Sequence, residues 1–154
     1  MKHIFALTIA ATMAFVSVRA QDPVQWQYTA RKVDAVTWEI HLTATIQAGW
    51  HVYAQHQPKD AIASPTAIHF ASNPLVKLEG AIKEIGQLQH EKIEALDITQ
   101  LQYENQVDFV QRVKVKTAGN AAVKTNITGQ VNFQTCTETS CLPPETKSFS
   151  VKLQ

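Results

Sequence analysis

The fold is decided by one segment in the first half of the chain, Val36-Thr-Trp-Glu-Ile-His-Leu-Thr-Ala-Thr-Ile46, in which apolar and polar residues alternate. A side-chain period of two is typical of a β-strand with one face in a protein core and the other face in water. The apolar face of this strand would carry Trp38, Ile40 and Leu42. The segment therefore predicts an antiparallel sheet with one buried face.

Further strands are predicted before and after this segment. No segment outside residues 1–20 has apolar residues at the spacing of a helix. The further segments with strand character are 25–32, 66–71, 75–79, 81–85, 101–116, 122–135 and 147–153. With 36–46 they make about eight short strands separated by turns, which favours an all-β, immunoglobulin-like antiparallel β-sandwich. The inward set should include Trp38, Ile40, Leu42, Phe109, Val131 and Phe133.

Three stretches lack a clear strand pattern. Residues 54–65 are polar and contain two prolines, which predicts a loop. Residues 87–100 have no clean period and are expected to form a long irregular connection. Gly80 interrupts 75–85, which indicates a hairpin or a bent strand, and Gly119-Asn120 marks a turn.

Residues 1–20 have the features of a secretory signal peptide. Lys2 gives a charged start, residues 4–16 are almost wholly apolar, and Ala20 ends the segment. The apolar run is shorter than the roughly 20 residues needed to span a bilayer. We therefore expect a cleaved signal, a mature chain of residues 21–154 that does not insert into the membrane, and a periplasmic location.

Length and charge narrow the function classes. The chain has 154 residues and a net charge of +1, and removal of residues 1–20 leaves 12 basic and 13 acidic residues. This balance argues against a nucleic-acid partner, which requires a basic face. The remaining length suits a single domain, expected to be a monomer, that can bury its own core.

Cys136 and Cys141 are the two cysteines of the chain, and Leu142-Pro143-Pro144 follows them. A disulfide between them would close a short loop and stabilise the fold by only about 2 kcal/mol. The pair is therefore either a local structural bridge or a redox-active pair, and the spacing alone leaves both interpretations open. A zinc site is a distant third interpretation, because two cysteines supply half of a tetrahedral set.

The region around the cysteines resembles a known family. Gly129-Gln-Val-Asn-Phe-Gln-Thr-Cys136, a Thr-Glu-Thr-Ser spacer, and Cys141-Leu-Pro-Pro-Glu-Thr-Lys-Ser-Phe149 are similar to the end of the N-terminal periplasmic domain of the DsbD family of bacterial thiol:disulfide interchange proteins. Trp38, the segment Gly49-Trp50-His51-Val52-Tyr53, Pro65 and residues 103–109 follow in the family's order. The resemblance covers nearly all of residues 21–154.

The resemblance implies an immunoglobulin-like fold and an electron relay that needs no cofactor or metal. Cys141 would be the attacking thiol and Cys136 the resolving one. Electrons would come from a thioredoxin-like protein fed by a membrane-embedded reductase, and would pass to oxidised periplasmic proteins, in processes that include cytochrome c biogenesis. Tyr53 and His51 would pack beside the cysteines.

The resemblance also implies a cap over the cysteines, at about residues 90–98, with Glu94 and Asp97 as its acids and Leu96 as its apolar cover. This sequence departs from the family in three respects. The spacer has four residues where well-known members have one more, no Phe, Tyr or Trp lies between residues 71 and 102, and neither a transmembrane portion nor a thioredoxin-like domain follows. We therefore expect the electron donor to be a separate chain.

A second interpretation belongs to another functional class. A non-enzymatic, exported interaction module of immunoglobulin type could carry the same short bridge as a purely structural feature. The two hypotheses differ in how readily the bridge exchanges with other thiols, since structural disulfides resist reduction by the glutathione pool.

Overall fold

A computed structural model describes residues 22–118 and 121–154, and every regular element within these ranges is a β-strand. The all-β prediction is confirmed. The signal peptide predicted at residues 1–20 and the turn predicted at Gly119-Asn120 lie outside the described residues. No helix capable of crossing a membrane occurs in the ranges given above.

The two longest strands are β5 and β6, with 18 residues each. Their bounds are β1 Val24–Lys32, β2 Thr37–Ile46, β3 His51–Tyr53, β4 Ala67–Phe70, β5 Val76–Ile93, β6 Ile98–Val115, β7 Thr117–Ala118, β8 Ala121–Ala122, β9 Thr125–Phe133, β10 Thr135–Cys136 and β11 Glu145–Leu153.

Two antiparallel sheets form the sandwich. The larger sheet has the order β1-β2-β6-β3-β10, with β5 also paired to β6, and the smaller sheet has the order β11-β9-β4. Strand β6 is the central strand of the larger sheet. It pairs with β5 along its length, with β3 at residues 102–103, and with β2 at residues 106–114. Strands β7 and β8 form a separate two-stranded ribbon.

The core lies between the two sheets and confirms the inward set predicted from alternation. Ile40, Leu42, Phe109 and Val131 are fully buried, and Trp38 and Phe133 are nearly so. The rings of Trp26 and Phe133 meet edge to face with their centroids 5.2 Å apart, which joins the larger sheet to the smaller one. Burial of each large apolar side chain contributes roughly 1.5–3 kcal/mol.

The prediction of an irregular connection at residues 87–100 is wrong. Strands β5 and β6 form a long hairpin closed by a turn at residues 94–97, and its outer part pairs from Leu88 with Tyr103 to Ile93 with Ile98. We call residues 88–103 the hairpin arm. Its first strand has no apolar period because most of its residues are exposed, and alternation appears in a sequence only where one face of a strand is buried. Gly80 lies at an irregularity within the single strand β5, so the bent strand, and not the hairpin, is the correct one of the two predictions for residues 75–85.

A bulge in β6 separates the hairpin arm from the body of the sandwich. The register shifts between the pairs Gly86–Val107 and Leu88–Tyr103, so one residue of β5 faces three of β6. Asn105, in the middle of the extra residues, has a left-handed φ of 60°. At this bulge the pairing of β6 changes from β2 to β3. Bulges bend a strand and redirect side chains, and they are common beside functional sites.

Candidate functional site

The cysteines form a disulfide across a small hairpin. Cys136 ends β10, and Cys141 faces it as an isolated antiparallel pair with 4.0 Å between the Cα atoms. Hydrogen bonds flank the bridge on both sides: Leu142 N donates to Thr135 O at 2.9 Å, and Thr137 N donates to Ser140 O at 2.7 Å. The backbone therefore holds the two sulfur atoms together independently of the bond between them.

The turn inside the disulfide loop is held by a threonine. The Thr137 hydroxyl oxygen accepts hydrogen bonds from Ser140 N at 3.1 Å and from Thr139 N at 3.3 Å. Ser and Thr hydroxyls commonly stabilise tight turns in this way. The spacer Thr-Glu-Thr-Ser thus specifies the turn that brings Cys141 opposite Cys136.

The two sulfur-bearing residues differ in accessibility. Cys136 is 1% exposed, whereas Cys141 is on the surface. Cys136 pairs with β3, and Cys141 precedes Pro143 and Pro144, which lack the amide hydrogen needed to continue a ladder. An incoming protein can therefore reach Cys141 before Cys136.

The cysteine pair belongs to a row of side chains on the face of the larger sheet that points away from the core. Cys136 is directly opposite His51, Tyr53 is opposite Gln102, and Gln100 is opposite Glu91 in the hairpin arm. Directly opposed residues share a face and have Cβ atoms about 5 Å apart. The register therefore joins the cysteines to polar residues of three other strands.

His51 and Tyr53 are both buried beside Cys136. Nε2 of His51 and the Tyr53 hydroxyl lie 3.3 Å apart in a hydrogen bond, and the Thr66 hydroxyl donates to the carbonyl oxygen of Tyr53 at 2.6 Å. Burial lowers the pKa of His51 below its ordinary value, although Glu104 and Glu91 oppose this shift. Burial also raises the pKa of Tyr53. Both side chains are thus uncharged near neutral pH.

A cavity of about 740 Å³ opens beside Cys141. Three parts of the chain surround it: the disulfide turn, the loop after β3, and the hairpin arm with its bulge. The residues that line it are Gly49, His51, Tyr53, Ile62, Ala63, Glu91, Ile93, Gln100, Gln102, Glu104, Gln134, Thr137, Glu138, Thr139, Ser140 and Cys141. A ligand or partner segment in this cavity would contact Cys141.

The residues expected to cap the cysteines lie at the end of the hairpin arm. Glu94 and Asp97 belong to the closing turn and make ion pairs with Lys92 at 3.3 and 3.2 Å, and Leu96 is 58% exposed. None of the three lines the cavity; Glu91 and Ile93 of the same arm do. The arm thus borders the site through side chains that the sequence did not single out.

Four further site residues were missed in the sequence. Glu104, Gln100 and Gln102 come from β6, and Ile62 comes from the loop after β3. Their types carry no chemical signature, and their position beside the cysteines follows from strand register. A metal site has no support among residues 22–118 and 121–154, where no cluster of three His, Cys, Asp or Glu residues could hold an ion.

Comparisons with known proteins agree with this geometry. Residues 16–153 match the family model described as "Thiol:disulfide interchange protein DsbD, N-terminal". Among solved structures, the chain is similar to the N-terminal periplasmic domain of ScsB from Proteus mirabilis, with a TM-score of 0.53 and 18% identity. This similarity covers 86% of the chain and 47% of the ScsB domain, so the chain spans about half of that structure.

A second similarity is weaker. It is to the crystal structure of the yeast GGA1_GAE domain-P21, with a TM-score of 0.43 and 11% identity, over 86% of this chain and 95% of that one. A search of curated protein sequences gives no match.

Proposed function

The chain belongs to the family of the N-terminal domain of the thiol:disulfide interchange protein DsbD, and from this premise we propose that Cys136 and Cys141 are a redox-active pair that relays electrons between proteins. The difference in exposure between the two cysteines supports this proposal most directly. The exposed residue, Cys141, would be the site of attack, and the buried residue, Cys136, would resolve the mixed disulfide.

In the proposed reaction the reduced pair gives two electrons to an oxidised protein. The Cys141 thiolate attacks a sulfur of the substrate disulfide, forms a mixed disulfide and releases one substrate thiolate. Cys136, after losing its proton, attacks the Cys141 sulfur and releases the second substrate thiolate. The products are the Cys136–Cys141 disulfide and a substrate dithiol, which takes up two protons. A donor dithiol returns the pair to its reduced form by the reverse steps.

The hydrogen-bonded turn supports repeated oxidation and reduction. Its backbone contacts, from Leu142 to Thr135 and from Thr137 to Ser140, do not involve sulfur. The frame that positions the two thiols is therefore available in both redox states. The resolving step is fast in such a frame because the attacking and leaving sulfur atoms are already close together.

The surroundings of Cys141 favour selective reaction. The three charged side chains that line the cavity are Glu91, Glu104 and Glu138, and no Lys or Arg is among the lining residues. Nearby negative charge disfavours a thiolate, and the thiolate is the reactive form. Residues 22–118 and 121–154 contain no helix whose N-terminus could offset this effect. Cys141 should react slowly with small oxidants until a partner changes the charge around it.

We assign the hairpin arm the role of a cap that a partner must contact. Glu91 and Ile93 border the cavity, and Glu94, Leu96 and Asp97 form the exposed end that meets the partner first. Tyr53 and His51 would support the disulfide from the side of the sheet.

The proposed partners are thioredoxin-like proteins, including a donor linked to a membrane-embedded reductase, and oxidised periplasmic proteins. The proposed location is the periplasm, reached through a cleavable signal at residues 1–20. The similar domain of ScsB is periplasmic, which supports the same compartment here.

Single-cysteine variants test the assignment. Cys136→Ala should accumulate mixed disulfides with partners at Cys141, because the resolving thiol is absent. Cys141→Ala should trap far less, because Cys136 is buried. Equal trapping by both variants would contradict the roles. If both variants fold and the reduced wild type exchanges with no protein or small disulfide, the bridge is structural and the interaction-module hypothesis replaces this one.

A further inference from the structure

We propose that the cavity beside Cys141 is a subsite for a lysine or arginine side chain that flanks the reactive disulfide of the partner. This inference rests on the proposed exchange function and specifies which partners it would favour. Two independent features of the cavity carry it: an unpartnered buried acceptor and a set of unpaired carboxylates.

The acceptor is the side-chain oxygen of Gln100. Gln100 is 6% exposed and lines the cavity, and its Oε1 has no hydrogen-bond partner among the described residues. A buried acceptor without a donor destabilises a protein, and a ligand that brings a donor recovers that loss on binding. Gln100 therefore indicates that the complementary group of the ligand is a hydrogen-bond donor.

The carboxylates indicate the charge of that donor. Glu91 lies directly opposite Gln100 on the hairpin arm, Glu104 lies in the bulge of β6, and Glu138 lies in the disulfide turn. None of the three is in an ion pair formed by the described residues. Two further ionisable side chains besides Cys141 line the cavity, and both are uncharged near neutral pH, because burial lowers the pKa of His51 and raises the pKa of Tyr53. The complementary ligand is thus a cation with several N–H donors.

A side chain of Lys or Arg meets both requirements. Its charged end carries several N–H donors, so it can bind a carboxylate and also Oε1 of Gln100, which is buried and must turn towards the cavity to accept. Charge-assisted hydrogen bonds are stronger than neutral ones. Its aliphatic part can pack against Ile93 and Ile62, the latter 69% exposed. A cation in this cavity also favours the thiolate of Cys141. The same contact would therefore select the partner and activate the attacking sulfur.

Model substrates can test the subsite without a natural partner. The probes are neutral peptides with one cysteine, activated as a 2-thiopyridyl mixed disulfide, and with Lys, norleucine or Glu beside that cysteine. Attack of the reduced protein on the peptide disulfide releases thiopyridone from the peptide, and the reaction rate is measured from the absorbance of the thiopyridone. We expect the Lys peptide to react about tenfold faster than the norleucine peptide, the factor that one charge-assisted hydrogen bond provides at the low end of its range. The Glu peptide should be slower than both.

Variants connect the preference to the named residues. The variant Gln100→Met removes the acceptor and keeps a similar side-chain volume, and the double variant Glu91→Gln/Glu104→Gln removes two carboxylates. Each of these two variants should reduce the ratio of the reaction rates with the Lys and norleucine peptides at least threefold. Glu79→Gln on the same strand β5 is the matched control, because Glu79 pairs with Lys114 outside the cavity, and it should keep the ratio. High salt screens charges, so it should lower the Lys-to-norleucine rate ratio of the wild-type protein. This measurement uses no variant and therefore does not depend on how the variants fold.

Two outcomes separate the subsite from the function. Equal rates for the Lys and norleucine peptides would overturn the subsite and leave the exchange function in place. No reaction with any peptide, from a protein whose thiols are fully reduced, would overturn the exchange function and the subsite with it.

Discussion

Reduction of the Cys136–Cys141 disulfide should lower the free energy of unfolding by only about 2 kcal/mol. The cysteines are five residues apart, and the loop-entropy relation gives this value for so short a loop, compared with about 4.7 kcal/mol for a bridge that closes 100 residues. The hydrogen bonds of the turn remain after reduction, which should keep the loss close to the entropic value. The melting temperature should fall by about 5–10 °C for a domain of this size.

Urea denaturation, followed by tryptophan fluorescence, measures this loss on oxidised and reduced protein. The variant Cys136→Ala/Cys141→Ala is the control for the reduced state, since it cannot form the bond and should resemble the reduced wild type. A loss above about 4 kcal/mol, or cooperative unfolding on reduction at 25 °C, would refute the reasoning. Such a result would mean that the bond is a main element of the fold and that repeated reduction is incompatible with a folded domain.

Three further predictions concern other parts of the molecule. Gly129→Ala should destabilise the domain by at least about 2 kcal/mol in urea denaturation, because the added Cβ would overlap the His69 carbonyl oxygen and the Phe149 ring, while the exposed Thr128→Ala should have little effect. Glu91→Ala/Ile93→Ala should speed the alkylation of reduced Cys141 by a bulky maleimide, since these side chains of the arm then no longer border the cavity beside Cys141, and an unchanged rate would disprove the cap. Burial lowers the pKa of His51 in the folded state, so as the pH falls through about 6.5 the imidazole of the unfolded state is protonated while that of the folded state is not. The free energy of unfolding should therefore decrease as the pH falls from 7 towards the lowered pKa of folded His51. The variant His51→Gln should make the free energy of unfolding less dependent on pH in this range.

The sandwich was predictable because its strands have one face in the core. β1, β2, β9 and β11 show burial on alternate residues, and this pattern is visible in the sequence. The hairpin arm was not predictable by the same method. Its residues are held by pairing between β5 and β6, and backbone pairing leaves no mark on side-chain pattern when the side chains are largely exposed.

The site was predictable only where residue type carries the chemistry. Cys136 and Cys141 are the two cysteines of the chain, but their spacing left a structural bridge and a redox pair equally open, and only the family resemblance indicated exchange chemistry. The same resemblance predicted His51 and Tyr53 beside them. Gln100 was not evident, because its position depends on the pairing of β6 with both β3 and β5, across segments far apart in sequence. Two strands of a sheet can in principle pair in several registers, and the bulge at Asn105 changes the register at the boundary of the site.

The pairing within the hairpin arm has a consequence for how its length can change. Because residues 91–100 pair along the strands only with each other, residues can be added to this outer part of the arm in pairs, one on each strand, without moving the sandwich core. Two added pairs preserve the side on which each existing side chain points, and they extend the arm by about 7 Å. Arm length can therefore change while the Cys136–Cys141 hairpin and the core keep their positions.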